Sequence, residues 1–305
     1  MFRPSITNAM TIDVEDYFHV SAFADLVPVR DWDHMPSRVV ENTHSLLRLL
    51  DKHQVRSTSF VLGWVATKFP KLVADIQKAG HEVGCHSYWH RLVYDLDPDE
   101  FRKDLIMARD VLQDITGSPC TLYRAPSFSI VENSQWALEV LASEGFEIDS
   151  SIYPIYHDRY GYPAADPFVH RIVTNSGVIQ QFPGNALRLA GLRLPISGGG
   201  YFRLYPGQLT RMCLQRWLCQ TNRPFMFYIH PWEVDPDQPR LPGSWKSRFR
   251  HYQNLASTER KLDRLLPRFR FGAISESIAA YSQEVCEYSL SSGLYQPAAM
   301  AEAIG

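Results

Sequence analysis

This chain of 305 residues has few cysteines, a small net charge and few long apolar runs. Its five cysteines are odd in number and scattered, without a C-x-x-C pair. This argues against a disulfide framework or a thiolate zinc site and favours a reducing compartment. The formal net charge of -2 excludes the general attraction to nucleic acids or anionic membranes that a strongly basic protein has.

Signals for export and membrane insertion are also missing. The stretch MFRPSITNAMTIDVEDYF has no apolar core ahead of its acidic cluster, and no segment approaches the length of a membrane span. We therefore expect a cytoplasmic protein. The glycine-rich stretch SGGGYFRLYP is too short and wrongly flanked for a phosphate-binding loop, and it is interpreted as a loop or bend.

What the chain does contain is an alternation of strand-like and helix-like segments. Strands are predicted in MTIDV, STSFVLG, HEVGCH, TLYRAP and FEIDSS; helices are predicted in SRVVENTHSLLRLLDKHQV, WVATKFPKLVADIQKAG, DPDEFRKDLIMARDVLQDITG and SQWALEVLASEG. In the third of these helices, Asp97 and Glu100 have the spacing of a capping box. The alternation predicts a parallel sheet, open or closed into a barrel, with reactive groups at the carboxyl ends of its strands.

Polar and ionisable residues fall at those strand ends. They are Asp13 and Glu15 after the first strand, His86 after the third, Arg124 after the fourth, Asp149 after the fifth and His230 after the late strand PFMFYIH. Their recurrence at equivalent positions predicts one site at one end of the sheet.

His86 and His90 are four residues apart in GCHSYWH. On one face of a helix or helical turn, both imidazoles could bind one cation at about 2.0 to 2.1 Å. An isolated H-x-x-x-H pair is weak in a chain with 11 histidines, since structural histidines explain it equally well. A carboxylate from the first strand would complete three ligands with an open position, which is typical of catalytic zinc.

Five segments, in order, resemble the motifs of the polysaccharide deacetylases with a NodB homology domain (carbohydrate esterase family 4). They are TIDVED, HEVGCHSYWH, RAPS, EIDSS and FYIHP. The segments GGGYFRLYP, FYIHPWEVDPDQPR and RFRHYQNLASTERKLDRLLPRFRFG are similar to the subgroup linked to exosortase-type exopolysaccharide clusters. The resemblance implies an α/β fold, a deformed (β/α) barrel of about seven strands, and one divalent metal, with zinc favoured. It also implies hydrolysis of N-acetyl or O-acetyl groups on sugars.

Residue roles follow from the same resemblance. Asp13 corresponds to the catalytic base, and Arg124 to the arginine that keeps this carboxylate ionised and oriented. His230 corresponds to the general acid that protonates the leaving group, with Asp149 expected to hold its imidazole. The backbone N–H of Ser127 corresponds to the oxyanion donor, although the family more commonly has Tyr at this position.

The carboxylate ligand remains open between two residues. The family commonly has two adjacent Asp residues, whereas this chain has Asp13, Val14, Glu15 and Asp16. The alternation of a strand places Glu15 on the face of Asp13 and favours Glu15 as the ligand beside His86 and His90. Asp16 is the alternative, and the argument weakens if the strand ends at Val14.

The remaining expectations concern substrate contacts and domain limits. Trp89 lies beside a motif, where a sugar ring could stack on it, although core packing explains an aromatic there equally well. Residues 1–240 are predicted to form the catalytic domain, residues 241–290 to form a C-terminal region that completes the barrel, and residues 291–305 to form a flexible tail. The basic segment near the C-terminus suggests either a solvated helix face or a dock for a lipid-linked glycan or membrane-bound partner.

Taken together, the residues favour a metal-dependent hydrolase that removes acetyl groups, N-acetyl in preference to O-acetyl, from a polysaccharide or its lipid-linked precursor in exopolysaccharide biosynthesis. An amidohydrolase acting on a small non-sugar amide is the first alternative. A carbohydrate-binding protein that has lost catalysis is the second. It is disfavoured because a binding module would not need Asp13, both histidines, Arg124 and His230 together.

Overall fold

The computed structural model describes residues 6–189, 192–281, 285–290 and 296–297. Within those ranges, no helix combines the length and the apolar character that crossing a bilayer requires. The predicted tail at 291–305 lies outside the described residues, apart from 296–297.

The described strands form one large, mostly parallel sheet and one two-stranded hairpin. The strands of the sheet are β1 (Thr7–Val14), β2 (Thr58–Val61), β3 (Glu82–Cys85), β4 (Leu122–Tyr123), β5 (Ile148–Asp149), β6 (His170–Val173), β7 (Val178–Gln181), β10 (Met226–Ile229), β11 (Arg270–Gly272), β12 (Glu287–Ser289) and β13 (Gln296–Pro297). The hairpin pairs β8 (Ala186–Leu189) with β9 (Leu192–Pro195).

Helices connect these strands and cover the outside of the sheet. They are α1 (Val39–Lys52), α2 (Gly63–Lys68), α3 (Pro70–Lys78), α4 (Pro98–Thr116), α5 (Trp136–Ser143), α6 (Gly199–Leu204), α7 (Gly207–Thr221), α8 (Trp245–Tyr252), α9 (Leu255–Leu265) and α10 (Ile274–Ala279). The predicted capping box at the start of α4 is confirmed, with Asp97 and Glu100 bonding reciprocally.

The sheet curls into a deformed barrel, as expected. Its order is β10-β1-β2-β3-β4-β5-β7-β6-β12-β13, with β11 also paired to β1. Backbone hydrogen bonds link the far side: Gly184 N donates to Ile152 O (2.9 Å), and Ile196 N donates to Asn185 O (3.0 Å). Tyr228 N on β10 donates to Ser197 O (2.7 Å), so the chain around β8 and β9 bridges β5 and β10. All eight residues of β1 are buried, because the sheet is covered on both faces.

Two sequence expectations about local structure were wrong. The predicted helix WVATKFPKLVADIQKAG is two helices, since Pro70 has no N–H to continue α2 and instead begins α3. The basic segment is helical, and it divides into α8 and α9 at Asn254, which has a left-handed φ of 56°. SGGGYFRLYP contains helix α6 rather than only a loop.

Glycine at position 198 is required by a close backbone approach. Its φ is 123°, and an added Cβ would lie 2.1 Å from the carbonyl oxygen of Tyr228. This contact places the start of α6 directly beside β10, whose carboxyl end carries His230. The glycine-rich stretch therefore brings α6 to the site rather than binding phosphate.

Candidate active site

The strand-end residues converge as the sequence predicted. Asp13 is the penultimate residue of β1, and Asp149 is the last residue of β5. His86, Arg124 and His230 directly follow β3, β4 and β10. Parallel strands end at the same edge of a sheet, so these side chains meet at one mouth of the barrel.

Glu15, His86 and His90 form a buried cluster whose ligand atoms all lie within 4.8 Å of one another. Oε2 of Glu15 is 2.6 Å from Nε2 of His90, yet it is buried without a hydrogen-bond partner of suitable geometry. Two imidazole nitrogens and a carboxylate oxygen are a ligand set that a divalent cation such as zinc accepts. The donor set and the orphaned oxygen therefore fit a metal.

Glu15 lies in this cluster although strand β1 does not extend to it, so the strand alternation used in the sequence analysis does not explain its position. β1 ends at Val14, and the N–H of Glu15 donates to Asp13 O (3.0 Å), so the chain has left the strand. The alternative residue, Asp16, faces away. Its carboxylate accepts hydrogen bonds from Ser37 Oγ (2.6 Å) and from the backbone N–H of Arg38 (2.8 Å) at the start of α1. Asp16 thus anchors a helix, whereas Glu15 lies with the histidines.

The two histidines are not on a helix. The segment after β3 is a bend in which Ser87 (φ 67°) and His90 (φ 54°) both have left-handed backbone conformations. The carboxylate of Asp104 holds this bend, because it accepts from Ser87 Oγ (2.6 Å) and from the N–H groups of Tyr88 (2.7 Å) and Trp89 (3.0 Å). Sequence reasoning missed Asp104, although a carboxylate within the apolar stripe of α4 was a usable signal.

The protonation states of His86 and Glu15 suit metal binding. His86 Nδ1 lies 2.8 Å from Arg124 O and donates to it, which directs Nε2 toward the cluster. Burial lowers the pKa of His86 to about 4, so this imidazole is neutral near pH 7. Burial alone would raise the pKa of Glu15, but the positive charge of the neighbouring His90 holds it well below its usual range.

Asp13 is paired with Arg124 in the interior. Nη1 of Arg124 donates to Asp13 Oδ1 (2.6 Å) and to Thr11 Oγ1 (2.8 Å). The other end of the guanidinium donates to Ser150 O (3.2 Å) and Ser150 Oγ (2.9 Å). Because Arg124 is fully buried, these bonds fix both the guanidinium and the Asp13 carboxylate.

His230 faces the same space from β10. Its Nε2 is 3.8 Å from Asp13 Oδ2 and 3.7 Å from Glu15 Oε1. Its Nδ1 is 2.6 Å from Oε1 of Glu233. Burial alone would lower the pKa of His230, but Glu233, Glu15 and Asp13 raise it to about 9.

The expectation that Asp149 holds His230 was wrong. Its Oδ2 accepts from the backbone N–H of Ser151 (2.9 Å), and its Oδ1 accepts from the hydroxyl of Ser151 (2.5 Å). Burial raises the pKa of Asp149 to about 6. Ser151 Oγ is in turn the acceptor of the Ala125 N–H (2.7 Å). Asp149 therefore braces the strand ends rather than the imidazole.

Glu233, which sequence reasoning did not single out, occupies the place expected for Asp149. Its second oxygen, Oε2, accepts from Arg203 Nε at 2.6 Å. Arg203 is itself buried and donates to the carbonyls of Arg250 (2.9 Å) and His251 (2.5 Å) in α8. The spacing of His230 and Glu233 in HPWE, three residues apart, was an available signal for their pairing.

Trp232 also belongs to the site. Its Nε1 donates to Glu15 Oε1 (3.2 Å), and its ring is stacked on that of His230, with centroids 5.0 Å apart. Ser127, the expected oxyanion residue, has φ 52° and lines a cavity of about 640 Å³ together with Trp232. Trp89 packs against Trp32 and Tyr88 instead. Among the described residues, it does not line this cavity.

A mostly parallel α/β barrel with a carboxylate, two imidazoles and an Asp–Arg pair at its mouth defines a candidate hydrolytic metal centre. Two family models match this chain. Residues 31–147 match the family model described as polysaccharide deacetylase, and residues 150–279 match a domain of unknown function, DUF3473. The second match includes Arg203, His230 and Glu233.

Curated relatives match over parts of the chain. A peptidoglycan-N-acetylglucosamine deacetylase of Bacillus cereus is 36% identical over 101 residues, which are 33% of this chain and 37% of the relative. A peptidoglycan deacetylase of Helicobacter pylori is 32% identical over 122 residues, 38% of this chain and 40% of the relative. The chain thus spans less than half the length of these relatives.

Solved structures show the same fold over most of the chain. A Mycobacterium smegmatis protein assigned to the polysaccharide deacetylases has a TM-score of 0.58 at 16% identity, covering 94% of this chain and 95% of its own. A peptidoglycan N-acetylglucosamine deacetylase in complex with 4-naphthalen-1-yl-N-oxidanyl-benzamide has a TM-score of 0.51 at 19% identity, covering 91% and 90%. By these matches, residues 31–147 belong to the polysaccharide deacetylases with a NodB homology domain, and residues 150–279 are a DUF3473 region.

Proposed function

We propose that the protein is a metal-dependent carbohydrate deacetylase that removes N-acetyl groups from a glycan. The observation that carries the proposal is the juxtaposition of two units. A buried Glu15–His86–His90 cluster lies beside Asp13 and His230, the two residues suited to proton transfer. The family assignment and the names of the relatives support the same chemistry.

Glu15, His86 and His90 would hold the divalent ion, with zinc favoured by the two imidazoles and one carboxylate. A zinc ion in such a site supplies Lewis acidity, which polarises a carbonyl and makes water a better nucleophile at neutral pH. The protein contributes the neutral imidazole of His86 and the ionised carboxylate of Glu15.

Asp13 is the general base in this proposal. Its Oδ2 faces His230, while Oδ1 is held by Arg124. With one oxygen fixed, the other can take a proton from the water that attacks the acetyl carbon. The backbone N–H of Ser127 is proposed to donate to the oxyanion that forms from the carbonyl.

His230 is the general acid. Nδ1 donates to Glu233, so the hydrogen on Nε2 points toward Asp13 and Glu15, where the scissile bond would lie. The raised pKa of His230 suits an amide substrate, because the amide nitrogen must gain a proton before it leaves as an amine. Proton transfer by Asp13 and His230 then yields acetate and a free amine.

The finer context of the reaction rests on the C-terminal region. The segments that resemble the exopolysaccharide-associated subgroup contain Arg203 and Glu233, which position His230, and this supports a role in exopolysaccharide biosynthesis. All five cysteines are free, which supports a cytoplasmic, reducing location. Not every cation of the predicted basic face is available to a partner. Lys261 Nζ donates to Arg203 O (2.8 Å) and Tyr205 O (3.1 Å) within the protein.

An acetate-release assay combined with metal analysis tests the proposal. The purified protein is stripped with a chelator, reloaded with zinc, and incubated with N-acetylated oligosaccharides, O-acetylated oligosaccharides and small N-acetyl amides. We expect zinc-dependent acetate release, greatest with N-acetylated oligosaccharides. Release only from small amides would support the amidohydrolase alternative, and glycan binding without any release would support the inactive binding protein.

A further inference from the structure

A second feature of the molecule adjoins the candidate active site. The cavity of about 640 Å³ that begins at Trp232 and Ser127 extends outward between α8 and the segment 157–160. The residues that line its outer part include four aromatic rings and two cations: Tyr160, Tyr201, Trp245, Phe249, Arg159 and Lys246. The proposed metal binding and proton transfer do not require these aromatic and cationic side chains.

Two of these rings are exposed to an unusual degree. Trp245 is 74% exposed and Phe249 is 56% exposed. They are four residues apart on α8 and therefore project from the same side of that helix. Large exposed aromatic side chains grouped together mark a surface that binds something, since water solvates them poorly.

The same two rings also border a second depression of about 400 Å³ on the other side, which Arg240, Arg248 and Tyr252 line. Trp245 and Phe249 thus form a ridge between two grooves, and we call this the α8 ridge. The Arg240 guanidinium lies 4.3 Å from the centre of the Tyr252 ring. Aromatic rings and cations therefore line this second groove together.

Charge around the α8 ridge is unbalanced. Arg250 is paired with Asp158 at 3.2 Å. Within the part of the chain that the structure describes, Arg159 and Lys246 are exposed and no ion pair engages their side chains; Lys246 Nζ lies 5.9 Å from the Trp245 ring centre. A local excess of cations attracts an anionic ligand.

We infer that the α8 ridge and its cavity form a subsite for an acidic glycan, one that carries carboxylate or phosphate groups on the sugars flanking the acetylated residue. Sugar rings would stack on Trp245 and Phe249, and their anionic groups would meet Lys246 and Arg159. The inference rests on the proposed deacetylase function and extends it to the substrate class.

Continuity with the active site favours a glycan over a lipid surface. The cavity reaches Trp232, which donates to Glu15 and stacks on His230. A chain lying along it would therefore have one sugar at the catalytic groups. The wall also contains Asp158 and the buried Ser247, polar groups that suit hydroxyl-rich sugars better than acyl chains.

Calorimetric binding to the zinc-loaded Asp13→Asn protein, which is chosen to prevent turnover, tests the inference directly. The probes are hyaluronan oligosaccharides, which alternate N-acetylglucosamine with glucuronate, and neutral N-acetylglucosamine oligomers of equal length. We expect the acidic probe to bind about tenfold more tightly at low salt, with the advantage lost as salt is added.

Substitutions separate stacking from charge. Trp245→Ala combined with Phe249→Ala should weaken binding of both probes about tenfold or more. Lys246→Gln combined with Arg159→Gln should weaken only the acidic probe. Met212→Ala removes an exposed apolar side chain of α7 (60% exposed), and Lys103→Gln removes an exposed lysine of α4; both are matched controls that should bind like the parent.

Equal affinities of parent and ridge variants for both probes would overturn the inference. So would a sedimentation assay in which the ridge variants lose binding to phosphatidylglycerol vesicles while oligosaccharide binding is unchanged, because the ridge would then be a membrane contact. Binding is measured independently of acetate release. Ridge-dependent binding without hydrolysis would reject the proposed function alone, and hydrolysis without ridge dependence would reject the subsite alone.

Discussion

Oε1 of Glu233 lies 2.6 Å from Nδ1 of His230, and the same carboxylate is bonded by Arg203 on its other oxygen. The pair fixes the imidazole tautomer that carries a hydrogen on Nδ1 and directs Nε2 into the site. Because Arg203 also donates to the carbonyls of Arg250 and His251, helix α8 of the C-terminal region is connected to His230 through the side chains of Arg203 and Glu233.

Glu233 is expected to act as a positioning residue. Glu233→Gln should lower kcat by about 10- to 100-fold, because the amide cannot stabilise the imidazolium. KM and bound zinc should change little, since Glu233 is neither a member of the metal cluster nor a lining residue of the cavity. Steady-state kinetics and metal analysis measure these effects. A kcat that falls in Asp149→Asn but not in Glu233→Gln would return the role to Asp149.

Metal binding is expected to depend on Glu15, His86 and His90. Replacement of either histidine by Ala should empty the site, because two remaining ligands rarely hold a catalytic zinc. Glu15→Gln should also lose most of the metal, measured by mass spectrometry of the protein after dialysis. Asp16→Asn is the matched control. It should keep the metal, and metal loss in Asp16→Asn together with retention in Glu15→Gln would contradict the assignment.

Substitution of Asp13 should lower the catalytic rate without removing the metal. Asp13→Asn should retain zinc and lower kcat by on the order of 10² to 10⁴, which is the usual effect of removing a general base. Circular dichroism and metal content check that the protein is intact. Turnover close to that of the parent enzyme would remove Asp13 from the role of base.

Asp104 should affect the zinc affinity of the site, although it is not one of the proposed metal ligands. Asp104→Ala releases the N–H groups of Tyr88 and Trp89 and the hydroxyl of Ser87, so the bend that presents His86 and His90 loses its support. We expect about 10- to 100-fold weaker zinc binding in a chelator competition assay. Asp110→Ala, on the same helix with a side chain that is 56% exposed, should bind zinc as the parent does.

Stability should decline in mild acid through His251. Burial lowers its pKa to about 3, and its Nε2 lies 2.7 Å from Gln238 Oε1. Below about pH 6.5 the unfolded chain takes up a proton that the folded chain refuses, so the free energy of unfolding falls by up to about 1.4 kcal/mol per pH unit from this group.

Urea unfolding between pH 7 and pH 4 measures that slope. His251→Gln should make it shallower, whereas His34→Gln, at an exposed position, should leave it unchanged. Slopes that agree in all three proteins would show that His251 does not contribute.

The sequence alone determined the order of strands and helices and the strand ends that carry Asp13, His86, Arg124 and His230. It could do so because local periodicity and short motifs are written in contiguous residues. It also led to the family, whose match to residues 31–147 starts beyond the first motif.

Tertiary structure decided which carboxylates meet which partners. Glu15 rather than Asp16 joins the histidines because the backbone turns after Val14, and the histidines lie in a bend because Asp104, from a separate helix, holds it. Glu233 replaces Asp149 beside His230 because Ser151 already engages Asp149. These choices depend on contacts between residues that are distant in the chain, on which the periodicity of a segment carries no information.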